Sequence, residues 1–318
     1  MKKRIFAVLA TLFLLCACLP LGAVSVSAEE ITGTYDWLTY SIENNEVTIT
    51  DCDEDATNVT IPSTIDKKPV TTIGDWAFYS CEFLASVTIP NGITTIGNSA
   101  FSHCASLASV TIPNGVTTIG DFAFSHCASL TSVIIPDSVT TIGMGAFYVC
   151  ELLASVSIGD SVTTIGACTF SYCASLASVS IGDSVTAISN YMFSNCKSLN
   201  LVIIPHNVTA IGEGAFCGCD SLMLVDIGDS VTTIGEDAFS GCASLTDVYY
   251  AGDEIDRATI QIGEDNVEFK NATWRYNYIA DQPSTIQDHN IIVIISIVVA
   301  VLVIAPILLF LLKKKKSE

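Results

Sequence analysis

The 318-residue chain predicts a repeat solenoid followed by a C-terminal transmembrane helix. A 23-residue step, kept by five residue types, carries the solenoid, and an uncharged run at 291–312 carries the helix. Cysteines fall at 81, 104, 127, 150, 173, 196, 219 and 242, each 23 residues after the last. Phenylalanine keeps the same step from Phe78 to Phe239, as do leucine from Leu84 to Leu245 and valine from Val87 to Val248; isoleucine follows from Ile89 to Ile227, with Tyr250 in the last copy. A unit of this length cannot bury a core alone, so the units must stack with like residues above like.

The elements follow in order. Residues 1–28 join Lys2, Lys3 and Arg4 to the apolar stretch Ile5 to Leu21 and end on Val26, Ser27 and Ala28, the pattern of a secretory signal peptide. Residues 29–58 read as an N-terminal cap, because "TYDWLTYSIENNEVTITDC" places two alternating stretches around Asn44 and Asn45, a hairpin that closes the first rung. Residues 59–248 are the solenoid. In the unit "CASLASVTIPNGVTTIGDFAFSH", Val110 and Ile112 point inward and Ser109 and Thr111 outward, which gives one short parallel strand per rung. "IPNG" or "IGDS" then turns the chain, Val116 and Ile119 start a return path, and Gly120 allows a corner before Phe124.

The period excludes helical repeats of about 33 or 34 residues, and the stretch after Gly120 has room only for a helical turn. What remains is strand plus short return, the leucine-rich-repeat or parallel β-coil style of solenoid. Residues 249–278 lose the period and turn polar, as a terminal cap must to keep the stack soluble. Residues 279–290 form a short juxtamembrane linker. Residues 291–312 run for 22 residues without a charge. As a helix they span about 33 Å, enough for the hydrocarbon core of a bilayer. The tail 313–318 carries Lys313 to Lys316, which the positive-inside rule keeps cytoplasmic, so the expected protein is a single-pass cell-membrane protein with its N-terminal domain outside.

Charge narrows the partners. Between Glu29 and Asn290 there are 32 Asp and Glu against 6 Lys and Arg. Such a surface repels nucleic acid and anionic lipid headgroups and leaves an extracellular protein, basic or neutral, as the expected ligand. Four histidines are present, but no "HExxH", nucleophile elbow or phosphate loop. No enzyme activity, small-molecule substrate or cofactor is expected.

The strings "VTIPNGVTTIGDFAFSHCASLTSV" and "VSIGDSVTTIGACTFSYCASLASV" resemble the leucine-rich repeats of BspA-like surface proteins, a class also described from treponemes. "VTIPSTIDKKPVTTIGDWAF" resembles the longer opening repeat of that family, and "VYYAGDEIDRATIQIGEDNVEFKNATWRYN" its closing segment. The resemblance covers about residues 33 to 278. Local departures are Ser189 in place of the corner glycine, Thr169 and Met192 in place of the alanine before phenylalanine, and the added Cys217. The resemblance implies a surface protein that adheres to host or matrix proteins or to other microbes. A structural or spacer element of the cell envelope without a specific ligand is the alternative.

Candidate sites are few. His103 and His126 occupy equivalent positions on adjacent rungs, two solvated turn residues or the beginning of a metal site. Asp137, Asp160 and Asp183 align in successive "DSV" turns, where like charges at rung spacing suggest a weak calcium column or plain solvated turns. The cysteine column reads as buried reduced thiols, with Cys52, Cys168 and Cys217 off the column and Cys217 within reach of Cys219 or Cys242. The outward strand positions are mostly serine and threonine in the first rungs. Later rungs place Leu201, Ile203 and Leu224 outward with Asp226, Asp247 and Tyr249, an apolar centre with an acidic rim of the kind that binds proteins, unless a cap loop covers them.

Overall fold

The computed structural model describes residues 31–278. The expected signal peptide, the linker, the span 291–312 and the lysine tail lie outside them, and among the described residues no helix is long and apolar enough to cross a membrane. A typical rung has a front strand, a side strand and a turn-rich third side. Front strands such as Ser132–Ile135, Ser155–Ile158 and Ser178–Ser180 pair in parallel with a 23-residue offset, Val133 opposite Val156 and Val156 opposite Val179. Alternation buries Val133 and Ile135 and turns Ile134 out, as a half-buried strand requires.

Most rungs carry two strands rather than one, but the rung of Val110 and Ile112 keeps its inward alternation without forming the expected front strand: a single bridge between Ser86 and Ser109 is all that pairs it, and the front ladder is interrupted there. The return path forms a second parallel sheet in which Thr95–Ile96 pairs with Thr118–Ile119, which pairs in turn with Thr141–Ile142. Threonine and isoleucine favour the extended backbone, and Ile96, Ile119 and Ile142 are buried. The exposed Thr117 and Thr140 hydroxyls donate to the threonine carbonyl of the rung before, at 3.2 and 3.3 Å.

The third side is held by backbone bonds, the Phe78 N–H donating to the Ala100 carbonyl and the Phe124 N–H to the Ala146 carbonyl, both at 2.7 Å. Gly120 serves space rather than a left-handed corner: a Cβ there would lie 2.6 Å from the Asn98 backbone nitrogen. The left-handed positions come later, at Phe122 (φ 54°) and His126 (φ 59°). Where Ser189 replaces the glycine, its hydroxyl donates to the Ile165 carbonyl. Both ladders stop at that step, the front sheet restarting at Leu201–Ile203 and the side sheet at Ala187–Ile188. The third side stays bonded across it, the Phe170 N–H donating to the Met192 carbonyl at 2.9 Å.

Inside, the phenylalanines from Phe78 to Phe239 stack with centroids 4.7 to 5.6 Å apart, and none is exposed. The column cysteines are free thiols. Cys104 donates to the Phe78 carbonyl at 3.1 Å, and Cys127, Cys150, Cys173, Cys196, Cys219 and Cys242 repeat the bond at 3.2 Å. Cys81 opens the column with no such phenylalanine before it; its thiol donates instead to the backbone carbonyl of Cys52, at 3.9 Å. Cys217 is a half-buried free thiol, bonded to neither Cys219 nor Cys242.

Both ends differ from the repeats. Ile31–Tyr35, Leu38–Glu43 and Glu46–Cys52 form an antiparallel meander, with Asn44 (φ 51°) and Asn45 (φ 67°) in the tight turn, and Glu46–Cys52 joins the side sheet by pairing in parallel with Lys68–Ile73. At the other end the period lapses but the stack does not. Gln261–Ile262 extends the side sheet, Thr273–Arg275 extends the front sheet, and Phe269 stacks on Phe239 at 4.3 Å. Residues 249–278 are therefore a further irregular rung as well as a cap. Fully buried Asn266 locks it, accepting from the Phe239 N–H at 3.0 Å and donating to the Gly235 and Glu264 carbonyls at 2.9 and 3.0 Å.

Candidate interaction surfaces

The front sheet places Leu201 directly beside Leu224, and Ile203 beside Asp226, in parallel register. Ile203 is 51% exposed, while Leu201, Leu224 and Asp226 are half-buried. Exposed Met223 adjoins Leu224 in the chain, and Ile134 stands alone, 72% exposed, on an earlier rung. Their signal in the sequence was an apolar residue at positions where other rungs hold serine, threonine or alanine.

Tyr249 does not belong to this exposed set. It is 6% exposed, because Tyr278 meets its ring edge-on at 4.5 Å and the Arg275 guanidinium lies 5.5 Å from its centroid. Asp247 pairs with Arg275, Nε to Oδ1, at 3.0 Å. The closing strand Thr273–Arg275 thus covers the far edge of the predicted patch and leaves Ile203, Leu201 and Leu224 uncovered.

In the aspartate column one carboxylate is engaged along the stack. Asp137 Oδ1 accepts the Asp160 N–H at 3.0 Å, so this carboxylate turns along the stack to cap the next rung's backbone. Among the described residues, the acidic groups whose oxygens gather within 4.8 Å of one another are Glu236, Asp237 and Asp265 instead. Of these, Glu236 lines a shallow groove of about 640 Å³, together with Asn190, Glu213 and Gln261. At the same end Tyr191 donates its hydroxyl to Glu213, and that bond to a carboxylate, before burial, pushes the phenol up to about 12.

His103 and His126 stack face to face at 4.3 Å with 13° between their planes. In-plane lone pairs on stacked rings run parallel and do not converge on one ion, which argues against the metal reading. His126 Nδ1 and the Ser125 hydroxyl share a hydrogen bond of 2.7 Å. Burial, then His103 beside it, holds His126 below the ordinary imidazole value, with Glu151 opposing.

Comparison with known proteins agrees with this architecture. A leucine-rich repeat protein from Bacteroides ovatus is similar in structure, with 25% identity, 81% of this chain and 72% of that one covered, and a TM-score of 0.62. The T. pallidum leucine-rich repeat protein TpLRR is 26% identical over 76% of this chain and 97% of its own, with a TM-score of 0.53. No curated protein matches by sequence. The model of the BspA-type leucine-rich repeat region matches residues 51–176 and 117–246 in six copies. With its 23-residue rungs stacked through most of that stretch, the chain belongs to the BspA-type leucine-rich repeat family.

Proposed function

We propose that this is a membrane-anchored cell-surface protein whose ectodomain binds other proteins, in adhesion to host, matrix or neighbouring cells, and does no catalysis. The observation that carries the binding site is the front-sheet patch of Leu201, Ile203 and Leu224. A solenoid can vary its outward positions without disturbing the core, and apolar side chains exposed on such a face incur a solubility cost that a partner relieves. Asp226 and the acidic net charge of the chain favour a basic partner and faster association at low salt.

The test compares residues 29–290 with a Leu201→Ser, Ile203→Ser, Leu224→Ser variant of verified fold, both offered cell-surface and matrix proteins. Saturable binding by the first and its loss in the second is expected. Equal binding by both would move the site off the patch. No binding by either, together with a weakened envelope on deletion, would favour a structural spacer.

A further inference from the structure

The turn side carries a second surface, independent of the front-sheet patch. Trp76, Tyr79, His103, His126, Tyr148 and Tyr172 form an unbroken chain of ring contacts up five rungs. Trp76 meets Tyr79 at 5.1 Å, Tyr79 meets His103 at 5.6 Å, and the imidazoles stack at 4.3 Å; His126 then meets Tyr148 at 5.6 Å and Tyr148 meets Tyr172 at 5.8 Å, edge to face at both steps. Unlike the phenylalanine stack, the row reaches solvent: Trp76 is 56%, Tyr79 41% and Tyr172 50% exposed, and the three rings between are half-buried.

The fold does not need these rings. His103, His126 and Tyr172 sit at left-handed φ of 63°, 59° and 61°, a conformation that favours glycine or asparagine, and the equivalent positions of later rungs are Asn195, Gly218 and Gly241 at 59°, 71° and 71°. These three rings therefore stand at positions whose backbone does not call for a ring, and together with Trp76, Tyr79 and Tyr148 they leave an aromatic row open to solvent.

Charge selects what lies on it. Residues 31–278 carry 28 Asp and Glu against 6 Lys and Arg, and the row brings no cation of its own while its imidazoles are neutral. Cations gain over aromatic faces, as the C-terminal cap already illustrates with Arg257 at 4.6 Å from the Trp274 centroid. An anionic polymer would be repelled, and a neutral sugar would gain nothing from the charge surplus. We propose that the ring ladder docks an extended arginine- or lysine-rich peptide segment, holding it while the imidazole pair is neutral and releasing it when the pair is protonated. Five rungs at about 4.8 Å match about six extended residues.

The titratable groups facing the imidazole pair are Tyr79 on the rung before, Tyr148 and Glu151 on the rung after, and the two imidazoles themselves. Protonation places positive charge in the middle of the row, against the bound cation and between rings 4.3 Å apart.

The test uses the full-length chain in a neutral detergent and a fluorescein-labelled hexa-arginine peptide, read by anisotropy. Replacing two exposed rings, Tyr79→Ala with Tyr172→Ala, leaves the net charge unchanged at neutral pH and should weaken binding about tenfold at pH about 7.5. Lowering the pH to about 5.5, where ordinary carboxylates stay ionised, should weaken the wild type by a similar factor. A His103→Gln, His126→Gln variant should bind equally at both pH values, and the front-patch triple serine variant should bind as the wild type does, which separates this site from the one proposed above. Undiminished binding by the ring-deleted variant would reduce the attraction to net charge and overturn the proposal. So would a pH loss that persists in the glutamine variant, or a ladder that takes cellohexaose in preference to the peptide.

Discussion

Phe147 lies mid-stack, with Phe124 at 5.2 Å on one face and Phe170 at 5.4 Å on the other, and no part of it reaches solvent. Truncation leaves a cavity that both neighbours border and that the rigid backbone on either side cannot collapse. Phe147→Ala should therefore lose about 3 to 5 kcal/mol, read by chemical denaturation of the ectodomain. A loss below about 1 kcal/mol would mean that the ring column is not the core. The thiol beside each ring has a different task, since every column S–H from Cys104 to Cys242 donates to the carbonyl of the phenylalanine one rung earlier, which in most rungs also accepts a backbone N–H. That bond explains a small thiol at each of these positions without a disulfide.

At the scale of the element, the side sheet and turn side are tied by an Asx ladder. Asp75 accepts the Asn98 N–H at 2.7 Å, Asn98 accepts that of Asp121 at 2.8 Å, and Asp121 accepts that of Met144 at 2.7 Å. Met144 and Ala167 cannot continue it, and it resumes where Asn190 accepts the Glu213 N–H at 3.0 Å. The C-terminal rung depends on the same chemistry in buried form. Asn266→Ala would leave the Phe239 N–H and two or three carbonyls without their partner, so a loss of about 2 to 4 kcal/mol is expected. Hydrogen exchange should show the loss first in residues 249–278 while the middle rungs stay protected; uniform deprotection would mean that the cap and stack unfold as one unit.

For the molecule as a whole, the buried thiol column makes stability depend on alkaline pH. Burial pushes Cys127, Cys173 and Cys219 well above the ordinary thiol value and Cys242 up to about 12. A folded value raised above the unfolded one, about 8.5, means stability that is fully present below that pH and is lost as pH rises toward the folded value. Each such thiol costs about 1.4 kcal/mol per pH unit in that window. Urea midpoints should stay level from about pH 6 to 8 and fall steeply above about pH 9, faster than one titrating group allows. A flat profile to about pH 10.5 would place the sulfurs in contact with water.

The sequence by itself determined the rung length, the identity of every core column and the hairpin at Asn44 and Asn45. Identical residues at a fixed step require identical surroundings, and only stacking supplies them. The side sheet was not legible, because Thr118–Ile119 is too short to show alternation and is a strand only by virtue of its bonds to neighbouring rungs. The last rung had a trace in the repeated "IGED" at 234–237 and 262–265, but its 28-residue step broke the period. Tyr249 read as exposed because its cover, Arg275 and Tyr278, returns from more than 20 residues downstream. The ring ladder draws Tyr79 and Tyr148 from one column and His103, His126 and Tyr172 from the next, so neither column taken alone discloses it. Columns are written in the chain; contacts between columns are fixed only when the turn side folds and its left-handed corners aim the side chains along the stack.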